Sequence, residues 1–397
     1  MSGEVEPSSS KIPLEILWKV FEEVFATEGL FATTYEGDDW TRDSRKLRFT
    51  DTESFKSCER QRRILRSVCK SWKYLSDTVG RRFVPLELYD SNGKYSITDI
   101  DSIANTWRLY VGTSTKLPPG LSGATVQWRI LRVAQDAARD VAQISHPHLR
   151  RVEIYFSDED DTPYAPDNLV GVLKSFVNIT WLRYLTNTNA RHGHCVKNDE
   201  GQTITLPHLQ VLYYYGYGAL HLPYYRLVLP CLRHLTIIAE ISVDSFPLRH
   251  LIAAYGESLQ SLYIHAVSSR RGRPRREELF PDYDPEYFPH WNYVPNLREL
   301  SLGEFMLLEY YHLPPGHPLR AFTAQVCKMG DLPTWVDSAE NLRVLRMLRT
   351  ERGSDGSLIR SDIGAPILSS EDLGNFEAKA AAKGIVIEMF SDYQDTK

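Results

Sequence analysis

Pro207-His208-Leu209-Gln210-Val211-Leu212-Tyr213-Tyr214-Tyr215 and, 23 residues on, Pro230-Cys231-Leu232-Arg233-His234-Leu235-Thr236-Ile237-Ile238 share one frame. An apolar residue stands at positions one, four and six. Positions four and six alternate with polar or aromatic residues, the pattern of a short strand that buries one face. The frame recurs on both sides. It appears as Leu149/Val152/Ile154, Ile179/Leu182/Tyr184, Leu209/Leu212/Tyr214 and Leu232/Leu235/Ile237. It continues as Leu259/Leu262/Ile264, Leu297/Leu300/Leu302, Leu319/Phe322/Ala324 and Leu342/Leu345/Met347. The first positions are 30, 30, 23, 27, 38, 22 and 23 residues apart.

Most of these spacings fall in or near the ~20–29 residues of leucine-rich repeats, which the pattern resembles. Pro, Asn or His usually precedes the first Leu, as in HPHL, LPHL, LPCL and VPNL. The Asn or Cys normally found three residues past position six occurs only as Asn187 and Cys327, so irregular turns are expected. Helical pieces lie between strands: Leu169, Val172, Leu173 and Phe176 form an i, i+3, i+4, i+7 stripe, and Leu251, Ile252 and Tyr255 a shorter one. A helix is expected near Glu371–Lys383 and a last strand at Ile385–Met389. Before the repeats, Phe83–Tyr89 and Trp107–Val111 read as strands and Val126–Ile144 as a helix.

The N-terminal 80 residues have a different period. Pro13 suits a first helical position, and Ile16, Leu17, Val20, Phe21 and Val24 make one apolar stripe. A second helix is expected from about Glu59 to Ser76, with Ile64, Leu65, Val68, Trp72 and Leu75 on its apolar face. Residues 26–57 lose periodicity and read as an inserted loop.

Ile12-Pro13-Leu14-Glu15-Ile16-Leu17 resembles the opening of an F-box, and Val68-Cys69-Lys70-Ser71-Trp72-Lys73-Tyr74-Leu75 resembles its close. The gap between them is a few tens of residues longer than usual. The chain as a whole resembles the F-box proteins abundant in mushroom-forming fungi. The resemblance implies an α/β chain: a small all-helical F-box over residues 1–80, then an irregular leucine-rich-repeat solenoid over residues 81–397. It further implies a substrate-recognition subunit of a cullin–RING (SCF-type) ubiquitin ligase. In that role the F-box docks on the Skp-type adaptor and the repeats capture a target protein. Pro13, Leu14 and Leu17 are the expected adaptor contacts on the first helix. Val68 and Trp72 divide between core and interface, whereas Ile16, Val20 and Phe21 are assigned to core packing. The alternative is a leucine-rich-repeat scaffold whose degenerate F-box recruits no ligase.

In the repeat frame, positions three, five and seven point away from the core, onto the concave sheet. Tyr155, Trp181, Arg183, Tyr213, Tyr215 and Tyr263 form the richest patch of residue types that dominate protein interfaces. They are the expected substrate-binding residues. Exposed Tyr also simply favours strands, the blander reading.

Composition narrows the function classes. Lys plus Arg is 46 and Asp plus Glu 51, a net charge of −5, which excludes a generally basic nucleic-acid coat. No apolar run approaches a membrane span. Five widely spaced cysteines without a CxxC pair suit a reducing compartment, cytoplasmic or nuclear. Arg271-Gly272-Arg273-Pro274 matches the core of an AT-hook, but acidic residues follow and a solvated loop is favoured. Asp158–Asp161 lacks the spaced ligands and glycine of a calcium loop. His192-Gly193-His194-Cys195 lacks a partner pair for zinc. No phosphate loop, nucleophile elbow or H-E-x-x-H occurs, so the sequence points to no enzyme and to no cofactor.

Overall fold

The computed structural model describes residues 13–25, 52–83, 86–88, 100–113, 115–155, 169–186, 203–216, 227–239, 252–266, 291–302, 313–325, 339–348, 350–355, 357–360 and 365–390. Among the described residues three helices come first: α1 (Leu14–Phe25), α2 (Thr52–Val68) and α3 (Lys70–Phe83). A twelve-stranded sheet follows. Its strands are β1 (Leu86–Leu88), β2 (Arg108–Val111), β3 (Ile130–Ala134), β4 (Arg151–Tyr155), β5 (Trp181–Thr186) and β6 (Val211–Gly216). Then come β7 (His234–Ala239), β8 (Ser261–Ala266), β9 (Glu299–Leu302), β10 (Ala321–Gln325), β11 (Val344–Leu348) and β12 (Val386–Phe390). The sheet order is the chain order and every pairing is parallel. This is the solenoid-like α/β arrangement, in which each unit contacts its neighbours and one core runs the length of the stack.

The register explains why the frame is strict at positions four and six. Leu109, Leu131, Val152, Leu182, Leu212, Leu235, Leu262, Leu300, Phe322 and Leu345 occupy one row across the strands, each at most 1% exposed. Position six forms a second buried row that includes Tyr184 and Tyr214, stacked with ring centroids 5.9 Å apart. A polar residue in either row would lose its water with no fixed partner.

The residues before each strand make the turn that returns the chain. The N–H of Leu149, Leu209, Leu232 and Leu297 donates to the carbonyl three residues back, on His146, Leu206, Leu229 and Val294. The prolines Pro147, Pro207, Pro230 and Pro295 are second in these four-residue turns, where a fixed φ helps and no N–H is needed. Turns of successive units are also stitched by the residue just before position one. Ser258 donates to the Leu232 carbonyl (2.6 Å), Asn296 to Glu257 (2.8 Å) and Asn341 to His317 (3.0 Å). The polar ladder expected after position six thus has a counterpart ahead of position one; Asn187 and Cys327 lie outside the described residues. Gly256 in one such turn is obligatory, because a Cβ there would meet the Tyr293 carbonyl oxygen at 2.0 Å.

Several expectations need correction. Val126–Ile144 is not one helix. Trp128, Leu131 and Val133 repeat the strand frame and give β3, and only α5 (Gln135–Val141) is helical, after α4 (Ile100–Asn105). The alanines of the following turn favour helix, and that preference holds only beyond the strand. The second N-terminal helix breaks at Cys69 into α2 and α3. The Cys69 thiol sulfur accepts from the Trp72 N–H (3.4 Å) and so caps α3. Helix α2 begins at Thr52, inside the loop expected over 26–57; residues 26–51 lie outside the described residues. Phe83 ends α3 rather than opening a strand, and the sheet starts at Leu86. An antiparallel three-stranded sheet over Thr350–Arg352, Leu358–Arg360 and Ala365–Leu368 was not foreseen. Helix α6 (Leu169–Ser175) lies in its expected place before β5, and α7 (Ser370–Ala382) follows the small sheet and precedes β12. Ser369 caps α7 through the Asp372 N–H (3.1 Å), and Gly384 ends it at φ +70°.

Candidate functional site

Two surfaces carry the residues singled out from sequence. The first is the helical module α1–α3. Its core is small: Phe21, Leu75 and Trp107, with Leu17, Trp18, Leu65 and Trp72 packed against them. Trp72 meets Phe21 edge to face with centroids 5.3 Å apart. Trp107 stands just before β2 and carries the Arg129 guanidinium over its ring at 3.3 Å, so it ties the module to the sheet. Arg66 and Asp77 bridge α2 to α3 at 3.2 Å.

The exposed surface of this module mixes charged residues, Glu15, Lys19, Arg60, Arg63, Lys70 and Lys73, with large apolar ones. Ile16 is 53% exposed, Val20 47%, Ile64 59%, Val68 56% and Tyr74 70%. Ile16 and Val20 were expected in the core and are not. With exposed Pro13 they stand at i, i+3 and i+7, one stripe of α1, while Leu17 and Phe21 take the inward side. Leu17 and Trp72 therefore sit at the edge of the module's own core. The Leu14 side chain lies outside the described residues.

The second surface is the outer face of the sheet. Position five aligns Tyr110, Arg132, Glu153, Arg183 and Tyr213 on five consecutive strands, β2 to β6. The side chains interlock. Glu153, 2% exposed, forms an ion pair with Arg132 (3.1 Å) and accepts from Arg183 (3.4 Å). The Arg132 guanidinium lies 5.0 Å from the Tyr110 ring centre and 4.7 Å from that of Tyr155. Arg183 lies 4.6 Å from Tyr213. Planar guanidinium over aromatic faces holds both partners in fixed orientation. Position three adds Arg108 and Arg151, 1% and 3% exposed, with Arg151 4.2 Å from the Trp181 ring.

Electrostatics differ across this patch. Burial, with Arg108 beside it, pushes Arg151 down to about 9. Burial also works against the charge of Arg183, but Glu153 and Tyr213 outweigh it and its pKa is raised. The Tyr155 hydroxyl is pushed up by burial and by its hydrogen bond with Tyr110.

Of the six expected substrate contacts, Tyr155, Arg183, Tyr213 and Tyr215 lie within this patch and are half-buried. Trp181 is only 4% exposed, so it is a buried support for Arg151 rather than an accessible contact. Tyr263 stands one strand beyond Thr236, outside the interlocked row. Tyr110, Arg108 and Arg132 were missed, because their strands fall outside the eight sequence frames. Alternation around Leu109/Val111 and Leu131/Val133 was the signal available.

Asp158–Asp161, His192–Cys195 and Arg271–Pro274 lie outside the described residues. Among the described residues no group of three or more His, Cys, Asp or Glu is placed to hold a metal ion. No described helix is long and apolar enough to cross a membrane. Neither protein-family models nor curated proteins give a match to this chain.

Proposed function

We propose that the chain is a substrate-recognition subunit of a cullin–RING ubiquitin ligase. Its F-box-like module docks on the Skp-type adaptor, and its leucine-rich-repeat-like solenoid binds the target protein. The observation that carries this reading is the imbalance of the helical module. Three helices close over a core of Phe21, Leu75 and Trp107 and leave Pro13, Ile16, Val20, Ile64, Val68 and Tyr74 exposed. This number of large exposed apolar residues on so small a unit suits a partner that covers them. The motif halves support the reading too. In Val68-Cys69-Lys70-Ser71-Trp72, the Cys caps α3 and the Trp packs on Phe21, so the motif holds the helices at the angle that turns Ile16 and Val20 outward.

The adaptor contacts are then Pro13, Ile16, Val20 and Val68, with Leu14 on the same helix and with Leu17 and Trp72 supporting them from the core. Such a subunit does no chemistry itself and works where the ligase works, in cytoplasm or nucleus.

The double variant Ile16→Asp/Val20→Asp tests this. Both side chains are about half exposed, so the fold should survive, with a change in stability within about 0.5 kcal/mol. Co-purification with the adaptor should be abolished, because two carboxylates would be forced into a desolvated contact. Undiminished adaptor binding by the folded variant would sink the docking assignment.

A further inference from the structure

The charge on the outer sheet face is unevenly distributed. On β2–β6 the outward positions carry four guanidinium groups, Arg108, Arg132, Arg151 and Arg183, and one carboxylate, Glu153. On β7–β10 the same positions hold His234, Thr236, Ser261, Tyr263, Glu299, Ser301 and Thr323, with no Lys or Arg among the described residues. The next cation, Arg346 on β11, pairs with Glu388 on β12 at 2.8 Å. Near the arginine patch, Asp136 opens α5 beside Tyr155, and Glu87 stands at the register position beside Tyr110.

We propose that the β2–β6 face binds an extended acidic peptide segment of a protein partner, through side chains that carry carboxylate or phosphate groups. This rests on the reading of the solenoid as the target-binding part and names the chemistry it selects. Arg132 and Arg183, with side chains 18% and 24% exposed, are the contact cations. Tyr110, Tyr155 and Tyr213 wall them. Arg108 and Arg151 lie deeper and act through their field, which a low-dielectric surround strengthens.

Three features fit an anion. Burial and the neighbouring Arg108 disfavour the Arg151 cation, and a nearby negative charge favours it. Glu153 holds two guanidiniums by their edges while tyrosine rings hold their planes, so little side-chain entropy is left to lose on binding. The length also fits. Four strand spacings of ~4.8 Å separate Tyr110 from Tyr213, about 19 Å, which about six residues of extended peptide span.

The test uses the full chain and three fluorescent 12-residue peptides of one sequence. One carries four Glu, one carries phosphoserine at those four places, and one carries Gln. Binding is followed by anisotropy at 50 and 300 mM salt. The Glu or the phosphoserine peptide, or both, should bind at least tenfold more tightly than the Gln peptide, and binding should weaken several-fold at high salt. The ratio of the two charged peptides identifies the preferred anion. Arg132→Gln/Arg183→Gln should remove this preference, whereas Arg346→Gln at the far end should keep it. Equal binding of all three peptides, no binding, or an unchanged preference in a folded Arg132→Gln/Arg183→Gln variant would overturn the proposal. Should that double variant unfold, Tyr213→Ala with Arg183→Lys provides the second reading, with a loss of at least threefold expected and no loss refuting the site. Adaptor co-purification is read on the same proteins. Absence of peptide selectivity in the unsubstituted chain, with adaptor binding present, fails this inference alone. Failure to bind the adaptor fails the ligase reading.

Discussion

The helical module and the solenoid solve the same burial problem to different extents. In the solenoid, the described position-four and position-six residues of β2 to β11 are covered by the units on either side, and the rows from Leu109 to Leu345 are essentially dry. In the module, α1 buries Phe21 and half-buries Leu17 but leaves Ile16 and Val20 exposed on its other side. A repeat stack supplies its own partner at every step, whereas three helices do not. The module's packing therefore leans on Trp107 on the sheet side.

The contrast can be broken with two truncations. Leu212→Ala, at a site 0% exposed in mid-stack, should cost about 2–5 kcal/mol and lower the main unfolding transition in denaturant. Phe21→Ala should cost about 3 kcal/mol, but within the module. Helical circular dichroism should be lost early while the solenoid transition stays in place. If Phe21→Ala shifts the main transition as far as Leu212→Ala does, the two parts form one cooperative unit and the contrast fails.

A smaller effect sharpens the solenoid side. Burial, with Arg233 beside it, pushes His234 down to about 4 from 6.5. Unfolded His234 takes up a proton as pH falls through 6.5, whereas folded His234 resists until about 4. Its contribution to stability is thus complete above 6.5 and is lost as pH falls toward 4. Between pH 7.5 and 5 the loss is about 2 kcal/mol. Burial lowers His146 and His317 in the same direction. His234→Leu should lose less stability than the parent over that interval in matched denaturant titrations. Equal losses in both proteins would show that His234 is not held neutral.

Much of the sheet was legible because its rule is local. Leu-x-x-Leu-x-Leu reports alternation, and a preceding Pro reports the turn, so the eight frames each match a strand of the parallel sheet. The frame does not reach strands whose first residue is not aliphatic, with Thr106 before β2, Trp128 before β3 and Gly384 before β12, though alternation still marked β2 and β12 as strands. At β3 the alanines of α5 read as a longer helix, and tertiary pairing overrode that preference. The site was only half legible. Alternation says which face a side chain takes but not how deep it lies, so Trp181 and Tyr213 looked alike from sequence. They part on burial, because Trp181 sits beside buried Arg151 and is covered. In α1 the apolar stripe was too wide for one core, and spacing alone could not say that Phe21 would turn inward and Ile16 and Val20 outward.

On the proposed reading, a Skp-type adaptor covers the exposed apolar residues Ile16, Val20 and Val68 of α1–α3. Titration calorimetry of the full chain with that adaptor, at several temperatures, tests it most directly. The expected result is a 1:1 complex with a negative heat-capacity change, the mark of apolar burial, and no such complex for Ile16→Asp/Val20→Asp. A folded wild-type chain that gives no heat of binding and no shift on size exclusion with the adaptor would contradict it. The chain would then be a repeat scaffold whose helical module serves another partner.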